Sequence, residues 1–517
     1  MGFIIFKIYL LRFTDEKIYM KGPLHIIKPL VFRLGIIFFM IFSPVAKAQI
    51  PDPLSPLLRA VDINIGETIQ VELHDGTAAV VELLSVEPYT DSVFDAVREV
   101  KVTLRVNGEE NVILSGNYHL PVTLGRIQVD CPVTKDYMTR ATMDWWGLEK
   151  DARLRLWPAG SPYIWPGSLV YPVNQKWLAS FSQFSNEPVV GEPRPDGKIY
   201  YHAGLDFGGA EDMVEVYAAT DGVVVSVRGE VFADEPDNPI KPRYDVVYLR
   251  DARGWYYRYS HFDSIDPDLK VGKRVRAGQM LGMLGKEGGS GGWSHLHFEI
   301  ISRQPSGSWG TQEGYAFLWQ AYRRQFDPEI LAVARPHKVI QTGETVTLSA
   351  GNSWAKNNIL NYKWTLSDGT AKSGKEVALT YDQAGTYSEI VKVSDQEGNY
   401  DYDFAVVKVF EKGKKGMEGI PDIHATFYPT MGIGPGDKVF FQVRTRWETE
   451  GYDVWNFNDG SKPVTVKSNI ETDNHAKVGY AITSHRFKEP GDYLVNVKRN
   501  TSNGPATARL YVKVEAR

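Results

Sequence analysis

The chain has 517 residues, enough for several domains, and is rich in glycine, tryptophan and tyrosine, as β-rich exported proteins are. A formal net charge of −5 provides no basic footprint for nucleic acid. One cysteine, Cys131, excludes an intrachain disulfide framework, and the lack of any C-x-x-C excludes a thiolate metal site. Cys131 itself reads as a small buried hydrophobe.

The first segment reads as an export signal. Lys28 and Arg33 precede an apolar run, Leu34 to Phe42, and Ala46-Lys-Ala48 offers a cleavage site before Gln49. The run is shorter than the ~20 residues that a bilayer span requires. We therefore expect a signal peptide over residues 1–48 and a mature chain that begins at Gln49 with no transmembrane segment. Met20 is an alternative start, because the residues before it are atypical of a signal. A retained signal anchor is the competing reading. No cysteine follows the run, which argues against a bacterial lipoprotein. The expected destination is the periplasm, the cell surface or the medium of a bacterium.

Residues 49–135 alternate as strands do, with Ile69, Val71 and Leu73, then Val100, Val102 and Leu104, then Val112 and Leu114. Turns such as His74-Asp-Gly76 and Asn107-Gly108 separate them. This is a β-domain whose role is not legible. Residues 136–180 are rich in tryptophan and proline (Trp145-Trp146, Trp157-Pro158, Trp165-Pro166). They read as an aromatic strap packed on its neighbour, or as a wall of a substrate groove. Together with the segment that follows, to residue 335, the strap forms the second domain.

That segment has short, glycine-punctuated strands: Gly222 to Val227, Asp245 to Leu249 and Trp255 to Tyr259. The spacing of Phe317, Leu318, Ala321, Tyr322 and Phe326 predicts a helix within 314–332. The run Gly288-Gly-Ser-Gly-Gly292 has no packing side chains and reads as a mobile loop at a site mouth. Within this region lie His202-Ala-Gly-Leu-Asp206, Tyr259-Ser-His261 and Ser294-His-Leu-His297. Histidines at i and i+2 share one face of a strand, so His295 and His297 can converge on one point. Hydrolytic zinc takes three N/O protein ligands and keeps a fourth position for water. Only one histidine of the pair need bind metal, and the other can serve the water.

After Pro336 the pattern repeats. Trp364-Thr-Leu-Ser-Asp-Gly369 returns as Trp455-Asn-Phe-Asn-Asp-Gly460, and Gly385-Thr-Tyr387 as Gly491-Asp-Tyr493. Valines of one parity follow each tyrosine. The charged stretch Glu411 to Gly416 reads as a flexible linker between the copies.

These motifs carry two resemblances. Residues from about Pro172 to Ile300 resemble the lysostaphin-type (LytM-like) peptidoglycan metalloendopeptidases. The family's H-x-x-x-D, A-x-x-D-G-x-V, Y-x-H-L, G-x-x-V-x-x-G-Q-x-[IL]-G and H-x-H-F-E motifs appear in order as His202 to Asp206, Ala219 to Val224, Tyr259 to Phe262, Gly272 to Gly282 and His295 to Glu299. The repeats at 336–411 and 417–517 resemble PKD domains, the second with a long insert between Gly460 and His485. The implied fold is mostly β: an N-terminal β-domain, a lysostaphin-type antiparallel peptidase sheet and two PKD-like sandwiches.

The resemblance implies one Zn²⁺ per chain, held by His202, Asp206 and His297. It implies His295 as general base and His261 as hydrogen-bond donor to the water or the oxyanion. Tyr259 is left between a site role and core packing. Glu299 reads as supporting a metal-bound imidazole rather than as the base. The remaining histidines, among them His74, His119, His337, His424, His475 and His485, lie in no motif.

The chain also departs from the family. Ser180 to Phe184 replaces a G-x-R region, Phe262 stands for Leu, Ser294 stands for Pro, and residues 229–244 look inserted. These departures bear on substrate choice rather than metal binding.

The implied activity is an exported zinc metalloendopeptidase acting on stem or cross-bridge peptides of peptidoglycan. Two alternatives stand beside it: a non-catalytic relative that binds or activates hydrolases in the cell envelope, and the same chemistry on a secreted protein. The PKD-like pair would act as a spacer or bind a carbohydrate or protein partner.

Overall fold

The structure is a computed structural model. It describes residues 54–517 except 190–195, 234–236, 414–419, 421, 447–448 and 470–474, and the side chain of residue 360. The expected signal peptide, the centre of the expected insertion and half of the inter-repeat linker lie outside the described residues. Among the described residues no helix is long and apolar enough to cross a membrane.

Alternating strands build the N-terminal domain as two four-stranded sheets. One runs Thr68–Glu72, Ala78–Thr90, Val97–Val106 and Glu109–Ser115. The other orders Arg59–Ile63, Ala152–Pro158, Ile127–Thr134 and Val122–Leu124. Val81, Leu83, Val102 and Leu104 of the first face Val129 and Leu154 of the second in one core, with Cys131 among them. Strand Ala152–Pro158, assigned above to the aromatic strap, thus completes this first domain. Its Leu154 and Leu156 supply the core-facing pattern that Arg59–Ile63 alone could not close.

The next unit is a large antiparallel sheet. At its centre Tyr256–Ser260, His295–Arg303 and Leu205–Gly208 lie side by side. A smaller three-stranded sheet, Glu215–Tyr217, Met280–Leu284 and Phe262–Ile265, packs beside it. The expected helix forms at Tyr315–Phe326. It stops early because Asp327 takes a left-handed conformation directly before Pro328.

Both repeats form β-sandwiches with their own cores, around Trp364 and around Trp455. Each shared tyrosine donates its hydroxyl to a carbonyl four residues upstream: Tyr387 to Gln383 and Tyr493 to Glu489, both at 2.9 Å. The shared residues are therefore structural. The two sandwiches meet edge to edge, where Thr386 pairs with Ala506.

Candidate active site

The central strands bring the motif residues together by register. Asp206 lies directly opposite His297 in the antiparallel ladder, and Ser260 flanks His297 from the other side. His202 enters from the turn before Leu205–Gly208. That turn requires Gly204, whose φ is +83° and where an added Cβ would lie 2.7 Å from the Phe298 carbonyl oxygen.

Three donor atoms face one point. His202 Nε2 lies 3.0 Å from Asp206 Oδ1 and 3.1 Å from His297 Nδ1, and His297 Nδ1 lies 2.9 Å from Asp206 Oδ1. All three residues are buried. Their own hydrogen bonding cannot satisfy this triangle. Two N–H groups aimed at the carboxylate would also point at each other, whereas a cation at the centre accepts a lone pair from each atom. The N₂O donor set and its burial fit zinc. Behind the triangle, Glu299 Oε2 lies 3.8 Å from His297 Nε2 and is held by Thr311 and Arg258. This is the supporting position expected for Glu299.

Burial alone would raise the Asp206 carboxyl. The charges of His202 and His295 and the hydrogen bonds from His202 and His297 outweigh it and hold the group well below the usual carboxylate range.

The two remaining imidazoles flank the triangle. His295 Nδ1 lies 3.0 Å from the Trp293 carbonyl oxygen, so the N–H belongs on Nδ1 and the lone pair on Nε2. That Nε2 lies 3.3 Å from Asp206 Oδ2. The ring stacks on Trp293 with centroids 3.8 Å apart. His261 Nδ1 lies 2.6 Å from the Glu287 carbonyl oxygen, which likewise leaves its Nε2 available. Burial pushes both imidazoles below their usual range, for His261 against an opposing hydrogen bond to the Asp245 carboxylate. His261 holds this pose with φ at +71°. All five expected site residues thus converge. Tyr259 does not join them. Its buried hydroxyl accepts a hydrogen bond from the Ala219 N–H at 2.7 Å, a core role.

Residues 200–307 match Peptidase family M23, and residues 327–409 match the PKD domain. The chain carries an M23 peptidase domain. Among solved structures, the catalytic domain of lysostaphin from Staphylococcus simulans is 24% identical, over 27% of this chain and 92% of its own, with a TM-score of 0.20. The catalytic domain of the prophage-encoded M23 protein EnpA from Enterococcus faecalis is 23% identical, over 25% and 85%, at 0.18. A PKD domain of the Vibrio cholerae metalloprotease PrtV is 23% identical, over 16% and 91%, at 0.13. No curated protein matches the chain.

The surroundings of the M23 site differ from the sequence-based expectation. A cavity of about 530 Å³ opens beside the cluster, and its walls come from four parts of the chain. The N-terminal domain contributes Arg98, the strap Trp145, the first sandwich Lys338 and the second Arg446. Trp146 and Trp157 are buried, so both readings of the strap apply, each to different residues.

The loop expected to be mobile, Gly288 to Gly292, is pinned by the second sandwich. Arg446 and Arg444 donate to the carbonyls of Gly291 at 2.7 Å and Gly292 at 3.0 Å. Bare glycine backbone is the acceptor here, which is why side-chain content misled. The Ser294 N–H donates to Tyr480 Oη at 2.9 Å, and His424 lies 2.7 Å beyond that oxygen. A proline at 294, the family's usual residue, could not make this bond. Three histidines without a motif therefore border the site: His337 stacks on Phe181, His424 packs edge-on to Trp293, and His475 Nδ1 lies 2.9 Å from the Lys286 carbonyl oxygen. The PKD-like pair is thus part of the wall around the site, which the spacer reading did not foresee.

Proposed function

We propose that this chain is an exported zinc metalloendopeptidase that hydrolyses stem or cross-bridge peptides of peptidoglycan. The observation that carries the reading is the buried triangle of His202 Nε2, Asp206 Oδ1 and His297 Nδ1 with two further imidazoles beside it. Zinc held by those three residues would supply Lewis-acid polarisation of a substrate carbonyl and lower the pKa of a water. His295 takes up the proton at Nε2, since its Nδ1–H is committed to the Trp293 carbonyl. His261, fixed through its Nδ1–H on the Glu287 carbonyl, presents the Nε2 lone pair as an acceptor for a hydrogen bond from the water. Asp206, opposite His297, orients that imidazole and keeps its donor atom aimed inward.

Retention of every residue the chemistry needs favours the catalytic reading over a binding or activating relative, since a binding module needs none of them. The test is digestion of purified sacculi by the zinc-loaded mature chain, with released fragments identified by mass. Peptide-bond cleavage products are expected. Intact sacculi together with a folded, zinc-loaded protein would leave the binding-module reading in its place. N-terminal analysis of exported protein tests export itself, with Gln49 as the expected first residue.

A further inference from the structure

The cavity beside the cluster does not end there. A second cleft, of about 930 Å³, runs between the N-terminal domain and the first sandwich. The two share a short stretch of wall that includes Arg98, Glu187 and Lys338. Two contacts hold this junction shut along its outer rim. Ser92 donates to Glu344 Oε2 at 2.6 Å, and Gln341 Nε2 donates to the Ser92 carbonyl at 2.8 Å.

Most cations of the inner cavity are neutralised in place. Asp245 pairs with Arg243, Glu299 with Arg258, and Asp422 with both Lys408 and Arg446. The junction is different. Lys338 is half-buried, and among the described residues its ammonium makes no hydrogen bond or ion pair. The carboxylates that face it, from Glu99, Glu187 and Glu376, stop short of ion-pair distance. Glu187 is held through Oε2 alone, by the Phe184 N–H at 2.6 Å and the Tyr118 hydroxyl at 3.1 Å. Arg98 uses Nε on Asp91, while its Nη2 is buried with no hydrogen-bond partner among the described residues. The two cations come from different domains and feel each other's charge. Asp91 balances one edge of the Arg98 guanidinium and leaves Nη2 buried without a partner, which is costly, while the half-buried Lys338 ammonium has no ion pair of its own. An arriving carboxylate would satisfy both.

We propose that Arg98 and Lys338 form a carboxylate subsite, so that the cleft selects peptides with an acidic group a short distance from the bond placed over the His–Asp cluster. The inference rests on the peptidase reading of that cluster. It assigns Lys338, in the first sandwich, the part of a specificity-determining residue. It also gives the tandem sandwiches a role in substrate choice at the site itself.

The test is direct binding, measured by fluorescence anisotropy with turnover blocked. The protein is the full mature chain, zinc-loaded, carrying His295→Ala. The probes are a labelled tetrapeptide amide with one internal Glu, its Gln analogue, and the Gln peptide with a free C-terminal carboxylate. The two acidic probes separate a side-chain from a C-terminal source of the anion. At least one should bind about tenfold more tightly than the neutral probe, the scale of one charge-assisted hydrogen bond. Lys338→Gln should bring the probes to parity, and Lys338→Arg should restore the preference. Arg98→Lys, which keeps a charge for Asp91, should weaken the preference without abolishing it. Equal binding of all three probes to the parent, or a preference that survives Lys338→Gln, overturns the proposal. Acid-selective binding by the His295→Ala chain, together with no cleavage by the zinc-loaded chain that keeps His295, would sink the peptidase reading and leave the subsite intact. Cleavage without acid selectivity would do the reverse.

Discussion

The His–Asp–His triangle and the wall around it are built in opposite ways. The triangle comes from two adjacent strands and one glycine turn, so 96 residues, His202 to His297, contain every donor. The wall joins Arg98 to Arg446 across four structural units. The triangle depends on local register. The wall depends on packing between domains with separate cores. Metal binding should therefore be robust to changes in the wall, while turnover and substrate choice should not.

The largest effects test the triangle. His202→Ala, Asp206→Ala and His297→Ala should each lose zinc and all turnover. His295→Ala should keep zinc and lose about 10²–10⁴-fold in kcat. Metal analysis beside kinetics separates the two outcomes, and full zinc occupancy in His297→Ala would mean that the histidine pair is assigned backwards.

Next is removal of residues 336–517. The M23 core should still bind zinc. Hydrolysis of a short soluble peptide should fall by about ten- to a hundredfold, because loop 288–294 loses Arg444, Arg446 and Tyr480 as partners. Unchanged hydrolysis of that peptide, with lower activity only on sacculi, would restore the tail to a spacer or surface binder.

A smaller step within the same contrast is Tyr480→Phe. It leaves the Ser294 N–H buried without its acceptor, and kcat should fall by about tenfold at constant zinc content.

The smallest effect concerns the seam between the N-terminal domain and the peptidase. Burial pushes the Glu313 carboxyl up to about 7, and Arg155, 3.5 Å away, only partly opposes it. Between its ordinary value of 4.5 and about 7, the folded chain keeps a proton that the unfolded chain releases. This contribution to stability is complete below the lower value and is lost as pH rises through the upper one. Glu313→Gln should flatten the decline in unfolding free energy between pH 5 and 8 by on the order of 1 kcal/mol. An unchanged slope would remove Glu313 as its source.

How much was legible follows the same division. His295 and His297 could be read because strand periodicity fixes the face that each residue shows. Asp206 and His202 could be read because His202 to Asp206 matches the H-x-x-x-D motif of the family the sequence resembles. The tandem tryptophans and tyrosines declared two sandwiches because core residues recur with the core. Lys338, Arg98, Arg446 and Tyr480 carry no such mark. Each is a polar residue in a strand or insert, and its meaning arises only when another domain lies against it. The substitution of Ser294 for proline was visible in sequence, but its use, an N–H for Tyr480, was not.

The left-handed backbone at His261 limits what evolution or an engineer can place there. At φ +71° histidine, asparagine, aspartate and glycine are the tolerated alphabet, while valine or isoleucine would be outliers. Alanine, the default of a scan, would lose the imidazole and also carry about 1–2 kcal/mol of conformational strain. An alanine scan would thus overstate what the ring contributes. Asparagine removes the ring and keeps the turn, so His261→Asn isolates the ring's own contribution to the rate.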